Sequence, residues 1–265
     1  YLKAEKYLDG YKSLSEEQKS NVRIALSNLE SYLDISFQES TESVKANTLA
    51  FAVNKQTGTG AYAFFPSSLN VGSDVFIGDS EYNATLAVDT GGAASLVHEI
   101  GHALGLPHPS HDRQPNLLSE SENQHRWTLM SSFGSDGFDS RTLTLSQLDI
   151  AALQYLYGVN KNTRAGDDTY LFDETEPNFV WDGAGNDTID AASATESVTI
   201  FLKAGYHGFK GPVKNELITV AGQITVNFGT EIENLIGSNF NDRLTGNELN
   251  NLITGGEGSD LIDGA

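Results

Sequence analysis

The sequence predicts an α/β domain over residues 1–164, followed by an all-β domain over 165–265 that ends in a parallel β-roll. Three observations predict it. A helix-period stretch, a group of short strand-like runs and two further helical stretches succeed one another up to about residue 160. Glycine, 26 of 265 residues, is then concentrated with Asn and Asp in the last third. Finally, Gly237, Gly246, Gly255 and Gly264 recur at a nine-residue step, and Leu235, Leu244, Ile253 and Ile262 keep the same step. Such periodicity marks a unit that stacks on copies of itself rather than low complexity.

The elements follow in order. Ser15 and Gln18 form a capping-box pattern, and Val22, Leu26, Leu29 and Leu33 recur at helical spacing, so a helix is expected from Ser15 to about Leu33. Strand character follows at Ile35–Gln38, Thr48–Val53, Ala61–Phe65 and Asp74–Ile77. Turn residues such as the run from Gln56 to Gly60 separate these segments, and Pro66 closes the third. A second helix is expected from about Gly92 to Leu104, ended by a left-handed Gly105. An irregular stretch runs from Pro107 to Thr144, and a third helix from Ser146, as N-cap, to Tyr157, with Gly158 just beyond. In the second domain Val198–Leu202 and Leu217–Val226 read as strands.

Composition narrows the function. Hydrophobic residues make up 38% of the chain, enough for a packed core. The net charge of −20 argues against nucleic-acid binding, which needs a basic footprint, and against docking on an anionic membrane. The acidity has two readings, simple solubility or carboxylates that bind calcium. Absence of cysteine excludes a disulfide scaffold and a thiol nucleophile. No apolar stretch is long enough to insert into a membrane. Tyr1–Tyr11 is polar and charged and does not read as a signal peptide, which is compatible with a mature form or with export by a route that needs no N-terminal signal.

Residues 98–108 read H-E-I-G-H-A-L-G-L-P-H. A helix puts His98 and His102, four apart, on one face, and Gly105 lets the chain turn so that His108 returns to the same point. Three imidazoles with one open position suit a catalytic rather than a closed zinc site. Glu99, next to the first ligand, is placed to take a proton from zinc-activated water as general base. The competing reading is a set of unrelated surface histidines, but three of six histidines fall in this one pattern. The extended motif matches the metzincin signature, which also requires a downstream methionine turn, and the chain's single methionine is Met130.

Residues 255–263, G-G-E-G-S-D-L-I-D, match the calcium-binding nonapeptide. Gly255, Gly256 and Gly258 allow the tight turn, and Asp260 with nearby carbonyls supplies hard oxygen ligands. Alternate turns of a roll lie on one side, so ligands should pair eighteen residues apart, which offers Asp242 together with Asp260. The repeat at 237–245 has Ser238 and Phe240 where glycines belong, and 246–254 has Asn251 where aspartate belongs, so the latter site is expected to be weak or empty. Gly183, Gly185 and Asp187 form an isolated partial match. The alternative is an acidic β-solenoid without calcium.

These residues together resemble the serralysin group of bacterial metzincins. The resemblance rests on His98–Pro109, on Ala61-Tyr62-Ala63-Phe64-Phe65-Pro66, on Leu148–Leu153 through Leu156-Tyr157-Gly158, and on Trp181-Asp182-Gly183-Ala184-Gly185-Asn186-Asp187-Thr188. It implies a metzincin catalytic domain with a twisted mixed sheet and an active-site helix, and Zn2+ and Ca2+ as cofactors. It also implies a secreted, extracellular endopeptidase acting on protein and peptide substrates, with a monomer expected. It assigns Ala61, Tyr62 and Ala63 to a substrate-binding edge strand, where the alternative is an ordinary sheet strand, and Gly105 and Met130 to structural roles. One departure is Ser132, at a position where the family usually carries a tyrosine that supports the oxyanion; losing one such donor can cost about 10²–10³ in turnover. The chain ends at Ala265 within a repeat, where the family continues with further repeats and a secretion signal.

Other residues carry weaker signals. Met130–Thr144, with Phe133 and Phe138, is expected to wall the primary specificity pocket. His111 and His125 read as surface histidines rather than a fourth ligand, and Asp89 reads equally as helix-entry chemistry or as support for a ligand histidine. His207 has no assigned role, and the Asn83-Ala84-Thr85 sequon carries no meaning in a bacterial chain. Two function classes result: a secreted zinc endopeptidase, and a non-catalytic or weakly active zinc and calcium module that kept the motif.

Overall fold

The structure is a computed structural model that describes residues 9–40, 47–69, 71–110, 117–132 and 141–265. His111, Phe133 and Phe138 lie outside the described residues. The chain divides into two compact units, one of residues 1–31 and 36–153, the other of 32–35 and 154–265. Among the described residues no helix is long and apolar enough to cross a membrane.

In the first unit, α1 spans Glu16–Glu30. Its capping box is complete: the Gln18 N–H donates to Ser15 Oγ, and Gln18 Oε1 accepts from the Ser15 N–H. Its buried face is Val22, Ala25 and Leu29, and burying each of the two larger side chains stabilises by about 1.5–3 kcal/mol. The sheet consists of β1 (Phe51–Asn54), β2 (Ala61–Ala63) and β3 (Val75–Gly78) in the order β1-β3-β2. β1 runs parallel to β3 and β2 antiparallel to it, so the sheet is mixed and β2 forms one edge. β3 is buried throughout, as its central place requires. A short 3-10 turn, Glu81–Asn83, leads to α2 (Gly91–Ala103), which buries Leu96, Val97, Ile100 and Ala103. α3 (Gln147–Tyr157) follows, and the unit boundary falls within it.

One expected strand is absent. Ile35–Gln38 has no regular structure, because its backbone groups find partners outside a ladder: the Phe37 N–H donates to Glu30 Oε1 at 2.5 Å. Pairing there is reduced to a single bridge between Leu33 and Val159.

The second unit contains β4 (Thr169–Leu171), β5 (Asn178–Val180), β6 (Thr188–Asp190), β7 (Val198–Phe201), β8 (His207–Lys210), β9 (Gln223–Val226), β10 (Asn234–Ile236), β11 (Arg243–Thr245), β12 (Leu252–Thr254) and β13 (Leu261–Asp263). The segment expected as a strand from Leu217 pairs only from Gln223 onward. One sheet, β12-β10-β6-β4, is parallel throughout. The other, β13-β11-β7-β8-β9-β5, is mixed. Leu235 pairs with Ile253 and Leu244 with Ile262, so the nine-residue step becomes an eighteen-residue register within each sheet. Ile189, Ile200, Leu202, Ile232, Leu235 and Leu244 are fully buried in a single apolar cluster. Ile262, the last aliphatic position of the series, is 47% exposed.

Candidate metal centres

α2 carries His98, Glu99 and His102, and its end is shaped by sequence. The Gly105 N–H donates to the His102 carbonyl and the Leu106 N–H to the Gly101 carbonyl, both at 2.9 Å, closing a Schellman motif around Gly105 at φ 107°. The chain then reverses, and His108 returns beside the helix. His108 Nε2 lies 3.1 Å from His98 Nε2 and 3.0 Å from His102 Nε2. His98, His102 and His108 thus form a group whose ligand nitrogens all lie within 4.8 Å of one another.

The other ring nitrogens fix the chemistry of this group. His98 Nδ1–H donates to the Leu129 carbonyl at 2.6 Å, and His102 Nδ1–H to the Leu106 carbonyl at 2.7 Å. Protonation at Nδ1 leaves lone pairs on both Nε2 atoms, aimed at His108 Nε2. A proton on His108 could serve only one of these two contacts. A shared cation serves all three, and zinc at its usual 2.0–2.1 Å would hold tetrahedral nitrogens roughly 3.4 Å apart, a few tenths wider than here. Burial holds His98 below the ordinary histidine range and takes His102 down to about 4, so both rings are neutral at neutral pH, as metal binding requires. The donor set therefore fits a zinc ion.

Glu99 is buried, which pushes its carboxyl up to about 7, against the opposing bond from the Ala63 backbone. Its Oε2 is buried without a hydrogen-bond partner. The Ala63 amide comes from the free edge of β2. The Phe64 N–H donates to Asp74 and the Gly60 carbonyl accepts from Gly78, so these alternate residues face β3. Ala61 and Ala63 accordingly present their backbone groups away from it. Tyr62 stacks on Phe76 at 5.0 Å, and its hydroxyl accepts from Asn54 Nδ2 at 2.9 Å.

Met130 is 1% exposed and lies against α2: a Cβ added at Gly101 would stand 2.6 Å from its Sδ. Asp149 on α3 holds this turn. Its carboxylate accepts from Thr128 Oγ1 (2.6 Å), the Leu129 N–H (2.7 Å) and the Ser146 N–H (3.2 Å). Leu129 is also the residue whose carbonyl orients His98, so Asp149 acts on His98 through one peptide unit. The sequence reading missed Asp149, because nothing local links it to residue 129. Ser132 is exposed. His125 faces the Ser131 carbonyl and lies outside the histidine group. The Asp89 N–H donates to the Arg141 carbonyl, and the Arg141 guanidinium donates to the Asp89 carbonyl, just ahead of α2. His207 meets Thr225.

A second cluster lies in the other unit. One carboxylate oxygen from each of Asp168, Asp182 and Asp187 falls within 4.8 Å of the others. Asp182 and Asp187 are fully buried, and Asp182 Oδ1 and Asp187 Oδ2 have no partner. Tyr170 donates its hydroxyl to Asp182, and the Asp168 N–H donates to Asp187 Oδ1. Burial raises both acids, Asp187 to about 6, and for Asp187 the neighbouring Asp182 and Asp168 carboxylates push the same way. Gly183 and Gly185 have no side chain where carbonyls of Thr163 and Gly166 approach, at 2.2 Å from an ideal Cβ in each case. Buried, orphaned carboxylate oxygens beside carbonyls suit a hard divalent cation such as calcium. Of the acids here the sequence assigned only Asp187 to calcium. Asp182 opens the same D-G-A-G-N-D run and was legible, whereas Asp168 joins only through folding.

The repeat residues fall into two kinds. At Gly255, Gly256 and Gly258 an added Cβ would meet Asp260 Oδ2, the Ser238 carbonyl and the Phe240 carbonyl, so this turn is rich in oxygen. Asp260 Oδ1 accepts from the Asp242 N–H. Asp242, expected to pair with Asp260 at a cation, is engaged otherwise. It is buried, with Oδ1 accepting from the Val198 N–H and Ser238 Oγ, and Oδ2 from the Ser238 N–H. The serine that replaces the repeat's glycine thus supplies two of the three donors to this carboxylate. Asn251 is likewise clamped, accepting from the Asn247 N–H and donating to Asn247 Oδ1.

The family profile described as Matrixin, a peptidase family, matches residues 9–158. The chain is 31% identical to a serralysin of Photorhabdus sp., over 90% of this chain and 54% of that protein. It is 31% identical to metallopeptidase AprA of Pseudomonas marginalis, over 89% and 55% of the two chains, and 30% identical to serralysin C of Dickeya chrysanthemi, over 89% and 54%. The chain thus spans about half the length of the curated relatives it matches. With the profile covering more than half of the sequence and the relatives aligned along nearly all of it, the chain belongs to the matrixin peptidase family as a serralysin-type metzincin.

Proposed function

We propose that the chain is a secreted zinc endopeptidase whose second unit, read as a domain from residue 165 with a parallel β-roll, is held by calcium. The observation that carries the catalytic reading is the convergence of three Nε2 atoms, two with their tautomer set by backbone carbonyls, on a helix that also bears an orphaned buried carboxylate oxygen. His98, His102 and His108 would hold zinc, which when bound lowers the pKa of a water molecule and polarises the substrate carbonyl. Glu99 takes the water proton on Oε2 while its other oxygen stays anchored to the Ala63 amide, then passes the proton to the departing amine. An extended peptide lies along β2 and bonds to the outward backbone of Ala61 and to the Ala63 carbonyl.

Asp168, Asp182 and Asp187 hold one calcium ion, and the turn at Gly255–Asp260 offers a second position; Asp242 is left out of the ligand set. Extracellular calcium modules bind at about 10⁻⁴–10⁻³ M, so such a unit tightens after export. The exposed Ser132, in the place of the family tyrosine, favours a second reading, a weakly active or non-catalytic zinc and calcium module.

Casein cleavage separates the two. The endopeptidase reading expects hydrolysis that a chelator abolishes, and a loss of about 10²–10⁴ in turnover in Glu99→Ala with zinc content by mass spectrometry unchanged. Wild-type protein loaded with zinc that cleaves nothing supports the second reading, and full activity in Glu99→Ala removes the general base.

A further inference from the structure

We propose that Asn83 is a positioning residue that sets the place of the substrate edge β2 against the catalytic helix α2; this rests on the endopeptidase reading. Asn83 ends the 3-10 turn between the sheet and α2 and is fully buried. Its Nδ2 donates to two carbonyls, Gly60 at 2.7 Å and Gly78 at 3.2 Å. Gly60 immediately precedes β2 and Gly78 ends β3, so one amide staples the start of the edge strand to its neighbour. β2 is three residues long and, among the described residues, pairs only with β3, so besides the Gly78 N–H bond to the Gly60 carbonyl the Asn83 amide is what fixes where it begins.

The same residue is held from two further sides. Gln18 Nε2 donates to the Asn83 carbonyl at 2.9 Å, and Gln18 is itself set by the capping box of α1. A Cβ on Gly92, in the first turn of α2, would lie 3.2 Å from the Asn83 Cα, so the helix rests directly on this backbone. At its far end β2 meets α2 again, where the Ala63 amide contacts Glu99. The edge strand is therefore tied to the catalytic helix at both ends, by Asn83 at one and by Glu99 at the other.

Asn83 Oδ1 is buried with no partner. An orphaned buried acceptor is destabilising, so this amide is not the choice that maximises stability. What distinguishes it is the pair of donors on Nδ2, which reach two strands at once. The burial of Nδ2 against two carbonyls also leaves the Asn83-Ala84-Thr85 sequon with no free amide to modify.

The test compares wild type, Asn83→Ala and Gln18→Leu on two peptides, an octapeptide spanning the cleft and a short substrate with one residue on each side of the scissile bond. In Asn83→Ala, kcat/KM for the octapeptide is expected to fall about five- to 150-fold, the range for losing two neutral hydrogen bonds. The short peptide should change less than twofold, with bound zinc unaltered. Gln18→Leu, which leaves both Nδ2 bonds in place, should show the same split at about two- to fivefold. Equal losses on both peptides, or no loss on either, overturn the proposal, since a merely structural role lowers the active fraction for both alike. If wild type cleaves neither peptide, the endopeptidase reading fails on its own. The positioning role is then read from fluorescence anisotropy of the labelled octapeptide, which Asn83→Ala must weaken by the same factor.

Discussion

Removing the Asp149 side chain should loosen zinc without touching a zinc ligand. Asp149 holds the Thr128–Met130 turn by two bonds and accepts a third from the Ser146 N–H, and the Leu129 carbonyl in that turn accepts from His98 Nδ1. In Asp149→Ala the N–H groups of Leu129 and Ser146 lose their buried acceptor, at about 1–3 kcal/mol each, so a loss of about 2–5 kcal/mol is expected by urea unfolding of chelated protein. Disturbing the groups that orient a ligand costs about 10–100-fold in metal affinity, to be read by competition with a fluorescent zinc chelator. The pH dependence has a defined sign. Burial raises Asp149 from 3.8 to about 6, so the folded state holds its proton more tightly than the unfolded chain does. Its favourable contribution is complete below pH 3.8 and is lost as pH rises through about 6. Relative to Asp149→Asn, wild type should therefore gain about 2 kcal/mol on going from pH 7.5 to 4.5. A folded Asp149→Ala protein with wild-type zinc affinity, or a pH difference of opposite sign, would refute the reasoning.

Gly101→Ala puts a methyl 2.6 Å from the buried Met130 sulfur; overpacking of about 1–3 kcal/mol should outweigh a helix-propensity gain of up to about 1 kcal/mol, giving a lower Tm. Gly105→Ala forces a side chain into φ 107° and should cost about 1–2 kcal/mol in denaturant melts, and an unchanged midpoint would mean that the turn has other solutions. Terbium should give luminescence sensitised by Trp181, beside Asp182, and Asp182→Asn should abolish that high-affinity emission; its persistence would move the ion elsewhere. Ser238→Ala should destabilise by about 1 kcal/mol equally with calcium and with a calcium chelator, because it removes a hydroxyl bond to Asp242. Asp260→Asn should instead destabilise mainly when calcium is present.

Features set by local geometry were legible in the chain. A four-residue spacing puts His98 and His102 on one helix face, and Gly105 is the residue a helix end with φ 107° requires, so the histidine group could be read before any folding. The nine-residue step likewise appears as an eighteen-residue register, because the repeat strands pair in parallel and each sheet takes every second repeat. Backbone competition defeated the strand expected at Ile35–Gln38, where a glutamate side chain takes the Phe37 amide.

Contacts distant in sequence were decided only by the tertiary structure. Asp149 reaches Leu129, Asp168 joins Asp182 and Asp187, and Asn83 binds Gly60, none of them related by a helical or strand period. Asp242 shows the same limit within a repeat: its aspartate suggests a calcium ligand, but one neighbouring serine and a distant backbone amide engage both of its oxygens. Spacing along a chain specifies which atoms can share a face, whereas the state of a buried polar atom depends on every donor that packing brings to it.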